Sequence, residues 1–201
     1  MNVRMWCRAA WCITAVLFIG CSELPQKELN AAKEALEKAK DAGAEAYAPS
    51  QLQAAQVSFE LAAKEISVEN RKVPFLRKYD KVVEILKSTT SAAQSAKKAV
   101  ETAKKRISTE ARDLMAQTGL VTDSIDTLLA IAEKKKIDVG AIPDALDSAR
   151  ICAMLASTSL GAGDLFMAKE KAMEAHGRAI AVKAVADSLI PRPKKSRGKK
   201  R

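Results

Sequence analysis

Apolar and small residues recur along this chain in steps of three and four, the signature of one buried face on an α-helix. The first stripe is Leu29, Ala32, Leu36, Ala39, Gly43 and Ala46. It predicts a helix that starts after Pro25 and ends at Tyr47-Ala48-Pro49, because proline disfavours a helical residue before it. Glu34 and Lys38, four apart, belong to its solvated outer face. Ser50 with Gln53 three residues on reads as a capping box. It opens a second helix with the stripe Leu52, Ala55, Phe59, Ala62 and Ile66, which closes near Asn70 to Pro74. So short a connection makes the two helices antiparallel neighbours.

Pro74 predicts the first turn of a third helix. Its stripe runs through Val82, Leu86, Thr89, Ala93, Ala96, Val100, Ala103, Ile107, Glu110, Leu114, Gln117, Val121, Ser124, Leu128 and Ile131. The alternating steps hold phase throughout and predict one long helix, with Gly119 as the place for a bend. Lys134, Lys135 and Lys136 suit its C-terminus, and Asp138-Val139-Gly140 a loop. Pro143 opens a fourth helix with apolar positions Ala145, Leu146, Ala149, Cys152, Ala153, Leu155 and Ala156. Gly161-Ala162-Gly163 stops it, and Asp164 caps a fifth that runs to about Leu189. The expected class is all-α. It is an elongated antiparallel helical bundle of coiled-coil-like hairpins, about five helices with one long central helix.

Composition refines this picture. Aromatic residues are only 4% and alanine abounds, so the interior is expected to be thin and close-packed. The net charge of +10 is not evenly spread. Arg4 and Arg8 stand near the start, and Arg192, Lys194, Lys195, Arg197, Lys199, Lys200 and Arg201 crowd the end. Those nine of the 34 basic residues leave 25 against 24 acids, so the body is close to neutral. After Pro191 and Pro193 the basic segment 191–201 is expected to be a disordered tail. Its charge suits an anionic surface such as phospholipid, peptidoglycan carboxylates or an acidic protein. It has no interleaved aromatics for base stacking, so nucleic acid ranks low as a partner.

The beginning of the chain has the layout of a secretion signal. Arg4 and Arg8 precede an uncharged run of 14 residues from Ala9 to Ser22. That is shorter than the roughly 20 residues a membrane-spanning helix needs. Leu17-Phe18-Ile19-Gly20-Cys21 ends the run with a small residue directly before cysteine. This resembles the bacterial lipobox, with Phe18 where the pattern favours leucine and Leu17 one place earlier. The resemblance implies cleavage between Gly20 and Cys21 and lipid on the Cys21 sulfur. It implies a signal over 1–20, a tether over 21–26, a helical domain over 27–190 and the tail. Ser22 after the cysteine resembles outer-membrane sorting, facing the periplasm. The lipobox, the segment Ala-Gly-Ala-Glu-Ala-Tyr-Ala-Pro-Ser-Gln-Leu-Gln-Ala-Ala from position 42, and Arg-Lys-Tyr-Asp-Lys from position 77 together resemble an uncharacterised family of bacterial envelope lipoproteins with an Ala-rich helical-hairpin domain. That likeness implies fold and location and carries no activity. Tyr79-Asp80-Lys81-Val82 and Gly163-Asp164-Leu165-Phe166 also echo each other, as if each began the second helix of a hairpin.

Little here points to catalysis. His176 is the only histidine, and a solvated or half-buried helical role is expected for it. Cys7 and Cys12 would leave with the signal and Cys21 would be alkylated, so Cys152 would be left without a disulfide partner, in a buried apolar role. One cysteine and one histidine cannot build a metal cluster, and no phosphate-cradling glycine loop or strained nucleophile turn is present. No cofactor is expected. The reading is a non-enzymatic, membrane-anchored envelope lipoprotein, a spacer or protein-interaction adaptor with an envelope protein or peptidoglycan as partner. The alternative is a tail-mediated binder of anionic polymer. Oligomeric state is left open.

Overall fold

A computed structural model describes residues 23–190, and the chain there is all-helical. Six α-helices follow in order: α1 (Gln26–Asp41), α2 (Ala44–Tyr47), α3 (Pro49–Asn70), α4 (Asp80–Lys135), α5 (Ile142–Ala162) and α6 (Leu165–Leu189). A single 3-10 turn, Pro74–Leu76, lies before α4. The chain divides into two compact units between Glu101 and Thr102, a point inside α4. The expected signal over 1–20, the expected cleavage and lipidation site at Gly20 and Cys21, and the basic segment 191–201 lie outside the described residues.

In the first unit, α1, α3 and the start of α4 meet along alanine seams. One cluster joins Leu36, Ala39, Ala44, Ala48, Leu52, Ala55, Ala93, Ala96 and Val100. A second joins Ala32, Ala62, Tyr79, Val82 and Leu86, with Leu24, Leu29, Phe59 and Ile66 packed against it. Ala32 lies with Ala62 and Ala39 with Ala55, so α1 and α3 are antiparallel. Alanines with no exposed surface let helix axes come toward the near end of the usual 8–10 Å range.

The second unit repeats the plan. The latter part of α4 packs with α5 and α6 through Ile125, Leu128, Ala132, Ile142, Leu146, Val182, Ala186 and Ile190. Ala111, Ala156, Ala168 and Ala172 form its other cluster. The register correspondence between the units is close. Val82, Leu86, Thr89, Ala93, Ala96 and Val100 are buried, and so is each residue 86 places later: Ala168, Ala172, Ala175, Ala179, Val182 and Ala186. Leu52, Ala55 and Ala62 of α3 match Leu146, Ala149 and Ala156 of α5 at a shift of 94, with Pro49 and Pro143 opening the two helices. The fold is therefore two three-helix units in tandem, with α4 serving both. The echo between Tyr79-Asp80 and Gly163-Asp164 marks the start of the third helix in each.

Four expectations are corrected. The first helix does not run to Tyr47: Gly43, at φ 96, breaks it, and its amide donates to Lys40 O at 2.7 Å. The buried stripe then moves to Ala44 and Ala48, leaving Ala46 exposed. Pro49 does close that stretch, with Ala48 before it non-helical, and is also the first residue of α3, while Ser50 bonds Gln51 instead of capping the helix. Pro74 opens only the 3-10 turn, and α4 begins six residues later at Asp80. Finally, the α4 stripe holds phase through Val100 and Ile107 and then slips by one residue. Ala111, Thr118, Thr122, Ile125 and Ala132 are buried where Glu110, Gln117, Val121, Ser124 and Ile131 were expected, while Leu128 is buried as expected. A straight helix drifts by about 20° per heptad, so a strict 3-and-4 count cannot follow one face indefinitely. Gly119 does not interrupt α4.

Candidate functional surfaces

The charged side chains lie mostly on helix flanks, where most pair within one helix and a few, Lys81–Glu65, Arg150–Asp126 and Lys169–Glu110, tie one helix to another. Arg150 of α5 donates through Nη2 to both Asp126 oxygens of α4, at 2.8 and 2.6 Å, and through Nη1 to Asp147 at 3.1 Å. Lys169 of α6 reaches Glu110 of α4 at 2.6 Å, and Arg106 shares that carboxylate. Glu174 accepts from Lys171 at 2.8 Å and from Arg178 at 2.6 Å, while Arg178 also donates to Ser148 Oγ on α5. The hydrogen bond from Lys171, then that from Arg178, brings the Glu174 carboxyl down to about 2. Lys169 likewise holds Glu110 below its ordinary value. Such carboxylates stay anionic at neutral pH and act as ties.

His176 is half-buried on α6, with Nδ1 inaccessible and lacking a hydrogen-bond partner among the described residues. Cys152 is buried and unpaired in α5. Among the described residues no group of three or more His, Cys, Asp or Glu is placed to hold a metal ion. An open groove of about 520 Å³ lies in the second unit, lined by Val139, Ile142, Ala145, Val182, Val185 and Leu189 among others. Its walls are almost wholly apolar, with Asp138 at the rim as the single charged side chain.

The surface that sequence patterning missed is the connection between α3 and α4. Residues 71–78 read Arg-Lys-Val-Pro-Phe-Leu-Arg-Lys. The buried Glu69 organises this loop: Oε1 accepts from Lys72 Nζ at 2.6 Å and Oε2 from the Lys78 amide at 2.9 Å. These two bonds, the Lys72 one first, lower the Glu69 pKa. Arg77 donates to the Lys72 and Asn70 carbonyls, each at 3.1 Å, and Tyr79 OH donates to Asn70 Oδ1 at 2.5 Å. Polar bonds thus fix the base of the loop and leave its apolar tip uncovered. The sequence signal was the Val-Pro-Phe-Leu run between two basic pairs, which the reading of Pro74 as a helix start obscured.

No protein family model, curated protein or solved structure matches this chain. What the chain itself defines is its class, a tandem three-helix bundle.

Proposed function

We propose that this chain is a lipid-anchored bacterial envelope protein that acts as a non-catalytic helical spacer or adaptor. The observation that carries the reading is Gly20-Cys21 at the close of an uncharged run behind Arg4 and Arg8. The folded body supports it, because Leu24 already packs against the Ala32, Ala62, Tyr79, Val82 and Leu86 cluster and α1 begins at Gln26. Among the described residues no helix is long and apolar enough to cross a membrane, so attachment in this reading rests on Cys21. Membership of the Ala-rich lipoprotein family and an outer-membrane position facing the periplasm belong to the same proposal. An adaptor role draws support from half-exposed apolar side chains on helix faces, such as Phe166, Met173 and Ile180 at seven-residue spacing on α6.

The test is the mass of the mature N-terminus, with membrane fractionation of wild type and Cys21→Ser. An acylated peptide beginning at Cys21, and misprocessing or release of the variant, is the expected result. An intact segment 1–20 without lipid overturns it. The seven basic residues after Pro191 favour a second reading, docking on an anionic polymer such as peptidoglycan. Deleting 191–201 tests it: salt-sensitive binding is lost if the tail is the contact, and unchanged if helix faces are.

A further inference from the structure

We propose that loop 71–78 is a membrane-surface contact. In it Phe75 and Leu76 seat among the headgroups of an anionic bilayer, and the Arg71 and Lys78 side chains meet lipid phosphates. This is a site separate from both Cys21 and the basic tail.

The fold does not require this loop. The matching connection in the second unit, between α5 and α6, is only Gly163-Asp164. The shift between the units falls from 94 before the connection to 86 after it, so the first unit carries eight more residues there. Those residues supply four cations and no acid: Lys72 pairs with Glu69 and Arg77 holds the loop carbonyls, while Arg71 and Lys78 flank the tip.

The tip is built outward. Phe75 is 78% exposed, Leu76 56% and Val73 49%. A collapsed loop would bury such side chains, since water-exposed apolar surface is unfavourable. Here the bonds of Glu69, Arg77 and Tyr79 hold the base, and Phe75 at the tip keeps most of its surface in water. An exposed aromatic–aliphatic wedge ringed by cations matches the chemistry of an anionic bilayer surface, which attracts Lys and Arg and accepts apolar groups at its acyl boundary.

The position agrees with membrane contact. Tyr79, next to the loop, shares its core cluster with Leu24 and Leu29. Cys21 precedes Leu24 by three residues, a span of at most about 10 Å. A lipid on Cys21 therefore brings the loop to the same membrane. This last point rests on the anchor reading; the architecture and charge of the loop do not.

The experiment uses the full-length protein and trypsin, whose cuts at Arg71, Lys72, Arg77 and Lys78 report on the loop by fragment mass. Vesicles of phosphatidylcholine alone are compared with vesicles containing phosphatidylglycerol. The anionic vesicles are expected to slow loop cleavage about five-fold or more relative to cuts elsewhere, and about 0.5 M salt to reverse this. Phe75→Ser with Leu76→Ser, both at exposed positions, is expected to abolish the protection while thermal unfolding stays unchanged. Equal cleavage with both vesicle types overturns the proposal, as does protection that survives the double substitution. Repeating the assay with Cys21→Ser separates the claims. Protection without acylation upholds the loop whatever becomes of the anchor, and acylation without protection removes the loop alone.

Discussion

Lys136 and Gly163 occupy the same place in two matching helix ends. After α4, the Ile137 amide donates to Ala132 O at 2.9 Å and the Lys136 amide to Glu133 O at 3.1 Å. After α5, the Asp164 amide donates to Ser159 O at 2.9 Å and the Gly163 amide to Leu160 O at 3.2 Å. Both are Schellman closures, with the pivot left-handed: φ is 55 at Lys136 and 82 at Gly163. A side chain costs about 1–2 kcal/mol in that conformation, and glycine escapes the penalty. Lys136→Gly should therefore stabilise the protein by about 1 kcal/mol, and Gly163→Ala should destabilise it by about the same amount. Urea midpoints of the two variants, compared with wild type, check both signs.

Gly119 and Gly177 are the opposite case. Each lies inside a helix, α4 or α6, and a Cβ added at either meets nothing within 4 Å. Neither has positive φ. Replacing glycine with alanine there removes backbone freedom from the unfolded chain without creating a clash. Gly119→Ala and Gly177→Ala should each stabilise by about 0.5–1 kcal/mol. A thermal melt that moves down for either variant would falsify the assignment of a relaxed helix interior at that position.

The all-helical class, the long central helix and the order of the long helices were legible because the punctuation is strong. Gly163-Asp164 stops one helix and caps the next, with the Met167 amide donating to Asp164 Oδ1 at 3.0 Å. The misread places share one cause, small residues that suit either state. Gly43 lies in a run of alanines where a glycine continues a stripe as readily as it breaks one. In α4, two neighbouring stripes are both partly apolar, and the threonines hide the true one. Thr118 and Thr122 are buried because their hydroxyls donate to the Leu114 and Gly119 carbonyls, at 2.7 and 2.9 Å, which periodicity alone does not reveal. The Glu69-centred loop was invisible for a related reason: a buried carboxylate is recognisable only once its donors are in place. The duplication showed itself only as an echo, since alanine and valine or leucine exchange freely between equivalent seam positions.

Acid sensitivity follows from the paired carboxylates. Glu174 titrates at about 2 in the folded protein against an ordinary 4.5, and Glu69 and Glu110 are shifted in the same direction. Between the folded and unfolded values the unfolded chain binds more protons, so acid favours unfolding. The Glu174 contribution is present above about pH 4.5 and is lost as pH falls towards 2, and Glu69 and Glu110 act in the same direction. Glu110 and Glu174 remain about one-third exposed, and screening keeps their effects modest, whereas Glu69 is buried among its donors. Circular dichroism against pH should show stability declining through this window. Glu174→Gln should reduce the slope, with little change in stability at pH 7 beyond the loss of its two hydrogen bonds.

The alanine seams set how much volume each core position accepts. Leu86 and Ala172 hold equivalent positions in the two units, and both are fully buried. Leu86 fills space beside Tyr79, Val82 and Ala62, whereas Ala172 lies where α6 comes close to Ala111 and Ala156. Leu86→Ala should therefore leave a cavity and cost about 2–5 kcal/mol. Ala172→Leu should cost about 1–3 kcal/mol for the reverse reason, because the added methylenes push α6 away from its neighbours. The two differ in kind as well as in size. The cavity variant should regain stability when an isoleucine or methionine refills position 86, and the overpacked variant when position 172 carries serine, close to alanine in size. Urea unfolding of these variants decides the matter. An Ala172→Leu variant as stable as wild type would show that the second unit has slack at this seam, contrary to the zero exposure of its alanines.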